Sequence, residues 1–202
     1  VSALPIVILL AAGKSERWRA AGGAGHKLEA QLGEATVFAH ALTRAIASGC
    51  EVRVAVSKST PASVSAMCRM LDVTTLSCTG GMGDVIAQAV RQTHSDTGWL
   101  IAPADMPLIA KTTHAAVARA LQAQPGTTNI VAAPFLGKRR GHPVGFGTGL
   151  RAALLALSGD TGARTLLEHH TVTPLAVDDA GILLDIDSPD DLHAAQTLLK
   201  QA

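Results

Sequence analysis

The chain has no tyrosine, and its aromatics are limited to Trp18, Trp99 and three phenylalanines among 202 residues. Single-stranded nucleic acid is held on aromatic stacking platforms along a basic groove. A formal net charge of +1 supplies no basic footprint either. These shortages exclude a nucleic-acid binder. No apolar run approaches the roughly 20 residues that span a bilayer, so no membrane partner is expected. Cys50, Cys68 and Cys78 are odd in number and lack C-x-x-C spacing. That speaks for free thiols in the cytoplasm, not for a disulfide framework or a zinc site. The start Val1-Ser2-Ala3-Leu4-Pro5 carries no positive n-region, and the apolar stretch after it is short and ends at glycine. It reads as a first strand, not as a signal peptide.

What is present is a length suited to one domain over residues 1–202 and an apolar fraction of 48% that can fill a core. Strands are expected at 5–11, 51–56, 73–76, 99–102, 129–134, 172–177 and 182–186. Helices are expected at 36–48 (Thr36 as N-cap), 61–71, 84–93, 111–122, 150–157, 163–169 and 190–200. The 137–147 stretch is glycine-rich and basic and marks a change of texture, with no strand or helix expected in it. Strands separated by helices argue an α/β fold with a mostly parallel sheet covered on both faces. In such sheets ligands sit beyond the carboxyl ends of the strands.

The apolar run Val7-Ile8-Leu9-Leu10-Ala11-Ala12 breaks at Gly13 into a loop bearing Lys14, Arg17 and Lys27. Backbone N–H groups and cations at such a turn can hold a triphosphate; an ordinary turn with a solvated basic tail is the alternative. Asp105 in Ala104-Asp105-Met106-Pro107 follows a buried strand, where a carboxylate suits Mg²⁺ or simply forms a turn. Asp185 and Asp187 share a face of an extended segment, and one or both can join such a metal. Asp190 and Asp191 read as acids at a helix start. Gly80-Gly81-Met82-Gly83 lets a planar base or sugar approach the backbone, or is a flexible turn. Arg139, Arg140, His142 and Arg164 can gather around an anionic second substrate. In the alternative, Lys138, Arg139 and Arg140 form a solvated loop and Arg164 pairs with Glu168 along its helix. A cationic glycine turn, a metal-binding Asp and a second anion site together describe nucleotidyl transfer, carried by positioning and charge neutralisation.

The ordered set Leu10-Ala11-Ala12-Gly13-x-x-x-Arg17 with Lys27, Gly81-Met82-Gly83, Asp105-Met106-Pro107, Gly141-His142-Pro143-Val144, Gly159-Asp160-x-Gly162-Ala163-Arg164 and Asp185-Ile186-Asp187-Ser188-Pro189 resembles the molybdenum-cofactor nucleotidyltransferases. It is most similar to their molybdopterin cytidylyltransferase branch. The resemblance implies a three-layer Rossmann-like fold of the GT-A type. It implies that Leu10, Ala11, Ala12, Gly13, Arg17, Lys27, Gly81 and Gly83 bind nucleotide and that Arg17, Lys27 and Asp105 serve catalysis. Asp105 with Asp185 or Asp187 would hold Mg²⁺ or Mn²⁺, and Arg140, His142, Pro143 and Arg164 would meet the acceptor. The implied substrates are CTP, with GTP as the alternative, and molybdopterin carrying molybdenum; a molybdenum hydroxylase is the implied recipient. Ala12, where the GTP-using branch has glycine, favours CTP. A sugar- or alditol-phosphate nucleotidyltransferase and a pterin-cofactor carrier without turnover are the competing readings. The chain departs from the family pattern in three places: Arg19 follows Trp18, residues 20–26 lengthen the loop before Lys27, and Val85 stands where related sequences often have Ser or Thr.

Overall fold

A computed structural model describes residues 3–123 and 128–201. The first apolar run forms β1 (Ile6–Leu10), buried along its whole length. The chain continues through α1 (Glu16–Ala20), a 3-10 turn at Lys27–Glu29, and a small hairpin of β2 (Gln31–Leu32) and β3 (Ala35–Thr36). Thr36 caps α2 (Val37–Ile46), its hydroxyl accepting from the Ala39 N–H at 3.2 Å. Next come β4 (Glu51–Val56), α3 (Ala62–Met70), β5 (Thr74–Ser77), α4 (Met82–Arg91), β6 (Gly98–Pro103) and α5 (Lys111–Gln122). The last part contains β7 (Val131–Leu136), β8 (Arg139–Arg140), β9 (Val144–Gly147), α6 (Arg151–Leu155), α7 (Arg164–His169), β10 (Val172–Ala176) and α8 (Pro189–Leu199).

Eight strands make one sheet in the order β10-β7-β9-β6-β1-β4-β5, with β8 paired to β7. The β1–β4, β1–β6, β4–β5 and β7–β10 pairs are parallel; those of β9 and β8 are antiparallel. From β1 the chain steps outward to β4 and β5, then returns to β6 on the opposite side of β1. That reversal opens a crevice beyond the carboxyl ends of β1 and β6, where open α/β sheets bind ligands.

Alternation along the strands builds two cores. Val7, Leu9, Val54, Leu100 and Ala102 pack on one face against α2 and α5 residues such as Leu42 and Val117. Ile6, Ile8, Leu10, Trp99 and Ile101 pack on the other, against Ile86, Val90 and Leu154 of α4 and α6. The expected α/β arrangement of a mostly parallel sheet between helical layers is what the structure has. No described helix is long and apolar enough to cross a membrane, and Cys50, Cys68 and Cys78 are buried and unpaired.

Two segments differ from the sequence expectation. The 137–147 stretch, where no element is expected, holds strands β8 and β9. Glycine-rich sequence reads as irregular, but here it permits close packing of a strand. A Cβ at Gly145 would stand 2.8 Å from Val117 Cγ1, and one at Gly147 would stand 2.4 Å from the Thr128 carbonyl oxygen. The strand expected at 182–186 is instead a 3-10 turn, Ala180–Leu183, followed by irregular chain. Its backbone bonds go elsewhere: the Ile182 carbonyl accepts from His142 N–H at 3.2 Å, and Ile186 N–H donates to the Asp105 carbonyl at 2.9 Å. That path brings Asp187 to the lining of the crevice; Asp185 lies next to Asp187 and Asp105 but does not line it.

Candidate active site

The turn after β1 has its carbonyls facing the protein. Ala11 O accepts from Thr60 Oγ1 at 2.8 Å, Ala12 O from Ser57 Oγ at 3.0 Å, and Gly13 O from His26 Nε2 at 3.0 Å. A trans peptide points its N–H opposite to its C=O, so the N–H groups of Ala12, Gly13 and Lys14 face the other way. Among the described residues none of these three has an acceptor. Ala12, Gly13 and Lys14 line a cleft of about 670 Å³ together with Arg17, Lys27 and Asp105. Successive free N–H groups in a concave turn are a site for anionic oxygens.

His26 and Ser15, which sequence reading passed over, hold this turn. His26 Nδ1 accepts from Leu28 N–H at 3.3 Å, which fixes its other nitrogen as the donor to Gly13. Burial lowers the imidazole's pKa below its usual value, against the pull of the Gly13 carbonyl and Glu29. Ser15 sits in the left-handed region (φ 54°) and is buried, its Oγ accepting from Lys27 N–H at 3.2 Å. The lengthened 20–26 loop folds over Trp18: Trp18 Nε1 donates to Ala24 O at 3.0 Å, and Gly23 passes so close to the indole that a Cβ would meet its ring at 2.2 Å. The extra residues therefore do not carry Lys27 away from the cleft.

Lys27 is 8% exposed. Its Nζ donates to Asp105 Oδ2 at 2.5 Å and to Asp187 Oδ1 at 2.7 Å. Arg17 pairs with the other oxygen of Asp187. Burial opposes the charge on Lys27, but the two carboxylates outweigh it and raise its pKa. Burial likewise opposes ionisation of Asp187, and Lys27 and Arg17 outweigh it, so its pKa lies below the ordinary value. Asp185 is pushed upward, by burial first and then by its neighbours Asp187 and Asp105. Asp105 is fixed from both sides: Ala104 N–H donates to Leu10 O at 3.0 Å, and Ile186 N–H donates to the Asp105 carbonyl. Asp105 Oδ1 is buried without a hydrogen-bond partner. Among the described residues no group of three or more His, Cys, Asp or Glu is spaced as a preformed metal cage.

The glycine turn behaves differently from its sequence reading. Gly81 lines the cleft, as do Gly80 and Met82, whereas Gly83 does not. A Cβ on Gly81 would stand 2.5 Å from Gly159 backbone, and one on Gly83 would stand 2.7 Å from Ser158 O. Their bare backbones are taken up by a neighbouring loop. Val85 is buried and contributes to the cleft wall.

A second cavity of about 430 Å³ adjoins the first and shares Leu10 and Met82 with it. Arg140, His142 and Arg164 lie on it beside an apolar wall of Ile101, Val144 and Phe146 that sequence reading did not anticipate. Arg164 also pairs with Glu168 at 3.3 Å. Burial lowers the pKa of His142, against the influence of Asp105, and its Nδ1 has no hydrogen-bond partner. Pro143 is buried after a cis peptide bond and does not line the cavity; nor does Ala11 line the cleft.

No curated protein sequence matches the chain. Among solved structures, Rv0371c from Mycobacterium tuberculosis H37Rv is similar over 98% of this chain and 99% of its own, at 24% identity and a TM-score of 0.72. A structure of that protein in complex with manganese is similar over 98% and 100%, at 22% identity and a TM-score of 0.70. A nucleotidyl transferase from Methanothermobacter thermautotroptrophicus, Mth528, is similar over 98% and 99%, at 18% identity and a TM-score of 0.81. 4-Diphosphocytidyl-2C-methyl-D-erythritol synthase from Anaerococcus prevotii DSM 20548 is similar over 98% and 99%, at 12% identity and a TM-score of 0.72. At these identities the likeness concerns the fold, which is the Rossmann-like nucleotidyltransferase fold. Residues 7–174 match the family model described as the MobA-like NTP transferase domain, and the chain belongs to that family.

Proposed function

We propose that residues 1–202 act as one nucleotidyltransferase domain that moves CMP from CTP to molybdenum-loaded molybdopterin and releases pyrophosphate. The observation that carries the reading is the turn after β1: the free N–H groups of Ala12, Gly13 and Lys14 face a cleft that also holds Lys27 and Arg17. The N–H groups and the two cations bind the triphosphate. Lys27 and Arg17 leave Asp187 for phosphate oxygens and neutralise the departing pyrophosphate. Leu10 and Gly81 line the nucleoside end, and Ala12 resembles the CTP-using branch there. Arg140 and Arg164 hold the acceptor's anionic groups beside the apolar wall, with His142 neutral between them. An ionised acceptor phosphate attacks the α-phosphorus in line, and the bond from that phosphorus to the β-phosphate oxygen breaks. No general base is needed.

The carboxylates fit a divalent ion. Asp105 has a buried oxygen without a partner, and Asp185 and Asp187 stand beside it. Such a set, open to phosphate and water, suits Mg²⁺ or Mn²⁺, which when bound supplies further charge neutralisation. The manganese complex of Rv0371c supports this reading.

Pyrophosphate release tests it, with Mg²⁺ and molybdenum-loaded molybdopterin and with CTP, GTP, ATP and UTP compared side by side. CTP alone should support release, and EDTA should stop it. Release with GTP alone would replace cytidylyl by guanylyl transfer. No release with any nucleotide, from folded protein, would favour a carrier or an acceptor of another class such as a sugar or alditol phosphate.

A further inference from the structure

Asp84 lies in the first turn of α4, and one of its oxygens takes two backbone hydrogen bonds. Gly81 N–H donates to Asp84 Oδ2 at 2.9 Å, and Gly159 N–H donates to the same oxygen at 3.2 Å. The first bond is what an acid at this position supplies to the start of its own helix. The second serves no helix: Gly159 lies 75 residues further on, in the loop between α6 and α7. A third bond crosses the same junction, from Gly83 N–H to Gly159 O at 2.7 Å. The contact is closer than side chains would permit, because a Cβ on Gly81 or on Gly83 would overlap the 158–159 backbone.

The two joined loops each border both spaces. Gly80, Gly81 and, from the second loop, Asp160 face the cleft that contains Lys27. Thr161, Gly162 and Arg164 face the adjoining cavity. Met82 borders both, and Gly162, in the left-handed region at φ 59°, brings its backbone against the Met82 side chain, where a Cβ would meet Cγ at 3.0 Å. The junction is therefore a common wall, and Asp84 is the side chain that ties its halves together.

We infer that Asp84 is a positioning residue that couples the two spaces, its carboxylate latching the 158–164 loop to the 80–83 turn so that a ligand seated in the cleft fixes the wall of the adjoining cavity. The assignment of those spaces to nucleotide and acceptor rests on the proposed transferase reading. The latch is charge-assisted, with one carboxylate oxygen shared by two N–H donors. A shift of the 80–83 turn moves the Asp84 oxygen, and Gly159 must follow or lose its bond. Coupling of this kind is reciprocal: a molecule held by Arg164 and Gly162 tightens nucleotide binding by the factor with which nucleotide tightens it.

Hydrogen–deuterium exchange on the full chain tests the latch, using the wild type, Asp84→Ala and Asp84→Asn, with and without CTP and Mg²⁺. An amide oxygen has two lone pairs and can still accept from both N–H groups, so Asp84→Asn should keep the latch. Without ligand, Asp84→Ala should exchange faster at 157–165 than the wild type and Asp84→Asn. With CTP, the wild type should be protected at 79–86 and also at 157–165. In Asp84→Ala protection should remain at 79–86 and vanish at 161–165, the part of the loop that faces the adjoining cavity, while CTP affinity falls about tenfold. A residue that served only as a helix cap would alter 79–86 alone. Unchanged ligand-free exchange at 157–165 in folded Asp84→Ala overturns the latch, and so does CTP protection of both 79–86 and 161–165 in that variant. CTP protection of neither segment in the wild type overturns the transferase reading, and the ligand-free rates still decide the latch.

Discussion

Lys27 and Asp187, 160 residues apart in sequence, form a hydrogen-bonded ion pair of 2.7 Å in the lining of the cleft. Asp105 takes the same ammonium, and Arg17 takes the far oxygen of Asp187. The two cations assigned to phosphate are thus already engaged by carboxylates, in a charge-balanced network. A buried cation is tolerated only with such partners, so these carboxylates keep Lys27 charged and in place. The triphosphate can take over the cations, and the released carboxylate oxygens can then turn to a divalent ion.

Lys27→Met is accordingly expected to abolish most turnover. Loss of one donor aimed at developing charge costs about 10²–10³ in rate. The same change leaves Asp105 and Asp187 without their common cation, so Mn²⁺ should bind the nucleotide-free variant more tightly than it binds wild type. Pyrophosphate release and Mn²⁺ titration by electron paramagnetic resonance check the two halves. Wild-type kinetics in the variant would remove Lys27 from the site.

Gly13 and Gly83 should respond in opposite ways to alanine. A Cβ on Gly13 meets nothing within 4 Å, whereas one on Gly83 stands 2.7 Å from the Ser158 carbonyl oxygen. Gly13→Ala should melt like wild type but raise the KM for nucleotide, because its methyl group stands at the phosphate turn. Gly83→Ala forces backbone apart, at a cost of about 1–3 kcal/mol, and should melt lower by about 3–10 °C. Thermal melts and steady-state kinetics on both variants separate a ligand-facing glycine from a packing glycine.

How much of this was legible beforehand depended on whether a residue acts through its own neighbours in sequence or through distant ones. The run 6–10 declared a buried strand by apolarity alone, and α5 at Lys111–Gln122 was readable to its ends. Lys27, Asp105 and Asp187 could be singled out as charges beside turns, and the structure brings them together. Ser15, His26 and Asp84 carried no such signal. Each acts by a bond to backbone that only the tertiary fold brings near: Ser15 to Lys27, His26 to Gly13, Asp84 to Gly159. Gly83 was misleading for the same reason, since a glycine that admits a ligand and one that admits another loop look alike in sequence. Strand β9 escaped because Gly145 and Gly147, which let it pack beneath α5 and beside 128–130, are also the residues of loops.

His26→Ala tests whether the turn needs its support. The variant loses the donor to Gly13 O and the acceptor for Leu28 N–H. Freed from His26, the Gly13–Lys14 peptide can rotate and turn its N–H out of the cleft. Nucleotide KM should rise by about tenfold, the size of one net hydrogen bond, with kcat reduced less, because Lys27 keeps its carboxylate partners. Equal loss of kcat and kcat/KM would instead give His26 a role in the transition state.

His114 gives a stability prediction away from the cleft. It is 2% exposed within α5; its Nδ1 donates to Ala110 O at 3.2 Å, and Nε2 is buried without a partner. Burial lowers its pKa below the ordinary 6.5, and neither the Ala110 carbonyl nor Asp179 offsets this. The unfolded chain therefore binds a proton at this residue more readily than the folded one. Its contribution favours folding fully above pH 6.5 and is lost progressively as the pH falls below that value towards the folded pKa. His26 and His142, lowered by burial in the same way, add to this acid limb. His114→Gln removes one share of it. Thermal melts of the metal-free protein at pH 7.5 and at pH 5 should show a smaller drop in Tm between the two for the variant than for wild type, whatever their difference at pH 7.5. An equal drop would mean that the His114 pocket opens to water before the chain unfolds, so that the imidazole charges in the native state at no cost.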